Sequence, residues 1–146
     1  MQTINLNSQD LLTVQNKKTA MTGSNRTEQF LHENLTWKRL LDFCIQENTF
    51  LKTRLSAVVD KETDEVFIAQ AEHFQNEFIL KDEYIHDIAK DIKEQEKKLQ
   101  LGLIHKKALD YKICRRQEKL RNEICYLEKE FSSLKTQFNK YLLSII

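Results

Sequence analysis

The chain of 146 residues contains no proline and only two glycines, Gly23 and Gly102. Proline costs about 3 kcal/mol in a helix interior, because it removes a backbone donor and clashes with the preceding turn, and glycine costs about 1 kcal/mol. Since residues that interrupt helices are nearly absent, long helices are the expected structure. We predict an all-α fold of three long helices in an antiparallel bundle with coiled-coil-like packing.

The distribution of polar residues predicts the domain organisation. Residues 1–25 are rich in Asn, Gln, Thr and Ser, which is typical of a flexible or docking N-terminal arm. Residues 26–146 form the predicted bundle, with helices at about 26–59, 63–101 and 104–145. Asn25 and Glu28 have the spacing of a capping box at the start of the first helix, and Thr63 is the candidate cap of the second.

Each predicted helix carries a stripe of residues at alternating steps of three and four, the pattern of a helix face turned toward a core. The first stripe includes Asn34 and Asn48, and a polar residue in such a stripe fixes register and oligomeric state. The three stripes are Phe30, Asn34, Trp37, Leu41, Cys44, Asn48, Leu51, Leu55 and Val58; Phe67, Ala71, Phe74, Phe78, Lys81, Ile85, Ile88, Ile92, Gln95 and Leu99; and Leu120, Ile124, Leu127, Phe131, Leu134, Phe138, Tyr141 and Ile145.

Large apolar residues also lie outside these stripes, which predicts that the bundle needs a neighbour beyond its own helices. A homodimer supplies that cover, and another protein is the alternative partner. Large aromatic side chains dominate the energy of protein interfaces. The predicted interface residues are Trp37, Phe43, Phe50, Ile79, Leu80 and Tyr84. Of these, only Trp37 belongs to one of the three stripes.

Gly102 is the predicted turn between the second and third helices, because glycine readily takes the left-handed conformation that ends a helix. One continuous helix of about 80 residues is the alternative, since the second stripe continues past Gly102 in the same frame. Charge favours the turn, because residues 60–96 contain twelve acidic and four basic residues, whereas residues 97–121 contain nine basic and two acidic ones. The turn is expected to bring Asp87, Asp91, Glu94 and Glu96 beside Lys106, Lys107, Lys112, Arg115 and Arg116.

The whole-chain composition gives no reason to expect nucleic acid or a membrane as partner. The net charge is +1, and no stretch approaches the ~18 apolar residues of a membrane span. Nucleic-acid binding by the basic stretch 97–121 is an alternative, but we expect the acidic stretch to neutralise it. Cys44, Cys114 and Cys125 form no C-x-x-C pair and are expected to be packing residues of a cytoplasmic protein.

Four residues are candidate metal ligands, because a carboxylate and an imidazole three or four positions apart share one helix face. Glu83 and His86 have the E-x-x-H spacing, which resembles half of the ferritin-like di-iron pattern, and His73 with Glu77 resembles a fragment of the hemerythrin pattern. These resemblances imply a metal-binding helical bundle. Because His73, Glu83 and His86 fall on outward positions, whereas such ligands project inward, we predict no metal or other cofactor and keep metal binding as an alternative.

Patterns typical of catalysis do not occur in the sequence. There is no glycine-rich phosphate loop and no G-x-S-x-G element. We therefore predict no catalytic residues and no enzyme activity. The expected function is that of a non-catalytic interaction or scaffold protein that self-associates.

Overall fold

The computed structural model describes residues 23–61 and 64–145, and in that part of the chain it contains three helices and no strand. Helix α1 spans Gly23–Val59, α2 spans Glu65–Ile104 and α3 spans Tyr111–Leu143. The chain reverses direction after α1 and again after α2. The predicted antiparallel three-helix bundle is confirmed, and the single continuous helix is excluded.

Cross-helix contacts establish the directions of the helices. Lys38 in the first half of α1 pairs with Glu96 in the second half of α2. The Tyr141 hydroxyl near the end of α3 donates a 2.8 Å hydrogen bond to the Phe67 carbonyl near the start of α2. Helices α1 and α3 therefore run parallel to each other and antiparallel to α2.

The core follows the predicted stripes. Every residue of the second stripe is buried except Lys81, which is half-buried. In the first stripe only Phe30 and Val58 are half-buried, and in the third only Ile145 is. Burying a large apolar side chain contributes roughly 1.5–3 kcal/mol, so this shared core is the main reason that the helices associate.

Aromatic rings fill the core at the end of the bundle where α2 begins and α3 ends. Phe78 and Phe138, both fully buried, meet edge to face with ring centroids 5.1 Å apart. Phe67 and Tyr141 stack at 4.7 Å, and Phe74 lies between these two pairs, 5.0 Å from Tyr141 and 5.4 Å from Phe138. These contacts hold the first half of α2 against the second half of α3.

The start of α1 differs from the prediction. The helix begins at Gly23, so Asn25 lies inside the first turn and does not cap it. Residues 23–25 therefore belong to α1, and residues 1–22 of the predicted arm lie outside the described residues.

Aspartates cap the other two helices. Thr63 lies outside the described residues, and Asp64 caps α2 by accepting a 3.1 Å hydrogen bond from the Val66 N–H. Asp110 caps α3 by accepting a 2.8 Å hydrogen bond from the Ile113 N–H. The third helix therefore begins at residue 111 rather than at 104, because its cap lies six residues beyond the predicted start.

The turn between α2 and α3 lies four residues later than predicted. Gly102 is inside α2, and Lys106, with φ of 53°, takes the left-handed conformation. The Lys106 N–H donates to the Leu103 carbonyl at 3.2 Å and the Lys107 N–H donates to the Gly102 carbonyl at 2.9 Å, which is a Schellman ending. The prediction of a left-handed helix ending is therefore right, but the left-handed residue is Lys106 and not Gly102. An existing helix gains one hydrogen bond for each added residue, so one glycine does not end it.

Candidate binding surfaces

The four candidate metal ligands do not converge. His73 and Glu83 are exposed on outward positions, and Glu77 lies 3.8 Å from a lysine of its own helix. His86 Nδ1 lies 2.7 Å from the Asp82 carbonyl oxygen in the preceding turn. Across residues 23–61 and 64–145, no three His, Cys, Asp or Glu side chains come together in a way that could hold a metal ion. The geometry therefore does not support the metal-binding alternative.

Among the predicted interface residues, Trp37 belongs to the core of the bundle. Only 7 % of it is exposed, so it leaves little surface for a partner to contact. The reason is its place in the first stripe, which turns it between the helices. Phe43 and Phe50, by contrast, are 53 % and 60 % exposed and lie seven residues apart on one face of α1.

The other three predicted interface residues lie along α2. Ile79 lines a groove between α1 and α2, and Leu80 beside it is 54 % exposed. Tyr84 is half-buried and meets Tyr126 of α3 edge to face, with ring centroids 6.3 Å apart. Since Ile79 belongs to the groove toward α1 and Tyr84 to the contact with α3, these residues do not form one continuous patch.

The predicted ion pairs between α2 and the basic stretch are not formed. Of the four acidic residues, Glu96 pairs with Lys38 of α1, and Asp87, Asp91 and Glu94 make no ion pair within the described residues. None of the five basic residues in the prediction makes an ion pair within the described residues either. They are Lys106, Lys107, Lys112, Arg115 and Arg116. The bounds of α2 explain part of this result, because Lys106 and Lys107 lie beyond its last residue, Ile104, and therefore past all of its acidic residues.

A cleft of about 510 Å³ opens between the end of α2, the connection and the start of α3. We call it the basic cleft. Its polar lining includes Lys98, His105, Lys107, Lys112 and Arg116, and its apolar lining includes Leu99, Leu101, Leu109 and Ile113. Asp110 is the one carboxylate among its lining residues, and its Oδ1 already accepts the hydrogen bond that caps α3. The lining therefore combines a cationic rim with an apolar floor.

A buried polar layer beside the basic cleft joins all three helices. Gln117 is fully buried and donates through Nε2 to Asn34 Oδ1 at 2.8 Å and to Glu33 Oε1 at 2.9 Å. Gln95 donates through Nε2 to the Ile113 carbonyl at 2.9 Å and to Gln117 Oε1 at 3.2 Å. Gln95 also lines the basic cleft, and its buried Oε1 has no hydrogen-bond partner among the described residues.

An ion pair closes the outer side of this layer. Arg121 donates through Nε and Nη2 to the two carboxylate oxygens of Glu33, each at 2.8 Å. Burial alone raises the pKa of Glu33, but the hydrogen bonds from Arg121 and Gln117 and the Arg121 charge outweigh it, so the pKa lies below its usual 4.5. The hydrogen bond with Glu33 raises the pKa of Arg121. Both groups therefore stay charged at neutral pH and join α1 to α3.

A second polar contact joins α1 to α2. Asn48 is fully buried and donates through Nδ2 to the Phe78 carbonyl at 2.8 Å and to Asp82 Oδ1 at 2.7 Å. Lys52 pairs with the same carboxylate. Both asparagines of the first stripe therefore make buried hydrogen bonds to neighbouring helices, which is the geometry that a register-fixing role requires.

Sequence reasoning missed two residues that shape the basic cleft and its surroundings. Gln117 lies three residues before Leu120 and continues the third stripe, but glutamine is no signal of a core position on its own. Asp110 directly precedes α3, and an aspartate at the start of a helix was a usable signal for a cap. With that signal, the connection between α2 and α3 could have been placed correctly.

Within the described ranges, none of the helices has the length and apolar character needed to cross a membrane. No family model, curated protein or solved structure matches the chain. The exposed face of α1 and the basic cleft are therefore interpreted from their own geometry and charge.

Proposed function

We propose that this chain is a non-catalytic interaction protein that self-associates through one face of α1. The observation that carries the proposal is the exposure of Phe43 and Phe50, which lie outside the shared core. Aromatic rings carry a large apolar area, and burying them supplies much of the energy of protein interfaces. A second copy of the chain would remove both rings from water.

The exposed face has a symmetry that suits a dimer. Thr36, Phe43, Phe50 and Ala57 recur every seven residues along α1, and all four are exposed. Seven residues make about two helical turns, so the four side chains lie in one line. When two α1 helices pair antiparallel about a two-fold axis, Phe43 of one copy lies opposite Phe50 of the other. The small residues at both ends of the line allow the helices to approach closely.

Light scattering coupled to size-exclusion chromatography over a range of protein concentrations tests the proposal. We expect a dimer for the wild type and a monomer for the double variant Phe43→Ser/Phe50→Ser. The matched control is Val66→Ser/Leu143→Ser, which removes apolar residues that are 69 % and 72 % exposed elsewhere, and it should remain a dimer. A wild-type chain that stays monomeric at every concentration contradicts the proposal.

A cytoplasmic location is part of this proposal. All three cysteines are free thiols, and unpaired thiols are typical of a reducing compartment. Expression with a fluorescent tag and cell fractionation tests the location directly, and recovery in an oxidising compartment would contradict it.

A further inference from the structure

Nine lysines and arginines lie between Lys97 and Arg121, and seven of them make no ion pair in the described part of the chain. The two exceptions are Lys119, which lies 3.8 Å from Glu123, and Arg121, which pairs with Glu33. The other seven are exposed and lie within residues 97–116. This end of the bundle is therefore strongly positive, although the net charge of the chain is only +1.

The basic cleft collects four of these seven cations. They are Lys98, Lys107, Lys112 and Arg116. Between them lie Leu99, which is buried, and Ile113, which is half-buried, so the floor is apolar. The volume of about 510 Å³ falls in the range of roughly 300–1,000 Å³ typical of ligand sites.

An exposed aromatic ring lies next in the chain to a residue that lines the basic cleft. Tyr111, the first residue of α3, follows the lining residue Asp110 and is 74 % exposed. The Arg115 guanidinium lies 5.7 Å from the centroid of its ring. A solvent-exposed tyrosine among unpaired cations is the arrangement on which nucleic-acid bases stack.

We propose that the basic cleft binds single-stranded nucleic acid, an activity beyond the self-association of α1. Phosphates lie against Lys107, Lys112 and Arg116, one unstacked base enters the basic cleft, and a neighbouring base stacks on Tyr111. A base has a flat, largely apolar face, which matches the apolar floor of the basic cleft.

Other anionic partners match only part of this lining. A peptide of acidic residues alone supplies the negative charge but no planar ring for the apolar floor and for the tyrosine. In a duplex the bases are stacked and paired, so they cannot enter the basic cleft. The combination of cations, apolar floor and exposed ring therefore favours a single strand.

Fluorescence anisotropy with short labelled oligonucleotides, one of RNA and one of DNA, tests the proposal at several salt concentrations. We expect Lys112→Glu/Arg116→Glu to weaken binding at least about tenfold and to reduce the slope of log affinity against log salt by about 1.4, which corresponds to two phosphate contacts. Tyr111→Ala should weaken binding roughly fivefold or more without changing the slope, since it removes stacking and no charge. A preference for RNA or DNA identifies the natural strand.

The matched control is Lys61→Glu/Lys129→Glu, which makes the same change in net charge at exposed lysines outside the basic cleft. It should bind as the wild type does. Circular dichroism checks that every variant folds, and Tyr111→Ala retains all cations if the charge reversal does not fold. The proposal is overturned if neither oligonucleotide binds, if the control loses as much affinity, or if duplex DNA or polyglutamate competes as well as the single strand.

Discussion

The backbone N–H of Lys107 donates a 2.9 Å hydrogen bond to the carbonyl of Gly102, and this bond closes the turn at the end of α2. The left-handed residue inside the turn is Lys106, with φ of 53°. A residue with a side chain is disfavoured in that conformation, whereas glycine is not. Glycine instead occupies position 102, inside the helix, where its flexibility is a disadvantage. Each position therefore carries a residue type that suits the other better.

Gly102→Ala is expected to stabilise the protein by up to about 1 kcal/mol, because alanine is the better helix former and restricts the unfolded chain. A Cβ placed at Gly102 meets no atom within 4 Å, so no clash opposes the gain. Urea denaturation followed by circular dichroism measures the free energy of unfolding. A loss of stability would show that residue 102 needs the left-handed conformation after all.

Lys106→Gly is expected to stabilise the protein by roughly 0.5–1 kcal/mol, because it relieves the left-handed lysine while the Schellman hydrogen bonds remain. The same denaturation experiment measures the effect. Lys107→Gly is the matched control, since it removes the same charge from the next residue, whose φ is not positive. An equal gain in both variants would mean that the removed charge is responsible and that backbone strain at Lys106 is not.

The sequence predicted the helix count and the core because both depend on short-range periodicity. A residue every three or four positions along a helix faces the same side, whatever the partner, so Phe78 and Ile124 could be assigned to the core from spacing alone. Helix ends could not be placed as well, because a glycine inside a helix costs only about 1 kcal/mol and does not by itself decide where the helix ends.

The three cysteines are expected to react with a thiol reagent in the order Cys125, Cys114, Cys44. Cys125 is exposed, Cys114 is half-buried and Cys44 is buried in the core. Burial, followed by the charge of Glu128, raises the pKa of Cys44, so little of it is present as the reactive thiolate. Mass spectrometry after timed labelling with N-ethylmaleimide gives the order. Rapid labelling of Cys44 in the folded protein would contradict its place in the core.

The basic cleft could be predicted only in part. The stretch of positive charge was visible in the sequence, but its neutralisation by α2 was expected and does not occur. An ion pair depends on which face each side chain occupies and on the register between two helices, and a count of charges contains neither quantity. The register places Lys107 past the end of α2, and it also places the fully buried Gln117 beside Asn34 and Gln95. The positions of Lys107 and Gln117 relative to the other helices could therefore be known only from the structure.

Acid is expected to destabilise the bundle partly through Glu33. Its pKa is lower in the folded chain than its usual value of 4.5, so its stabilising contribution is complete above that pH and is lost as the pH falls through the lowered pKa. Protonation removes the charge from the pair with Arg121 and weakens the hydrogen bonds that join α1 to α3. Glu33→Gln should therefore unfold more easily at neutral pH, by roughly 1 kcal/mol, and should show a smaller further loss of stability in acid.

Glu130→Gln is the matched control, because Glu130 is exposed and makes no ion pair among the described residues. This substitution removes one carboxylate and leaves the ion pair between α1 and α3 intact. The stability of the Glu130→Gln variant should therefore fall in acid as steeply as that of the wild type. Urea denaturation of the wild type and the two variants at a series of pH values measures how steeply each protein loses stability in acid. If Glu33→Gln and Glu130→Gln lose stability in parallel with the wild type below pH 4.5, the low pKa of Glu33 makes no measurable contribution to acid sensitivity.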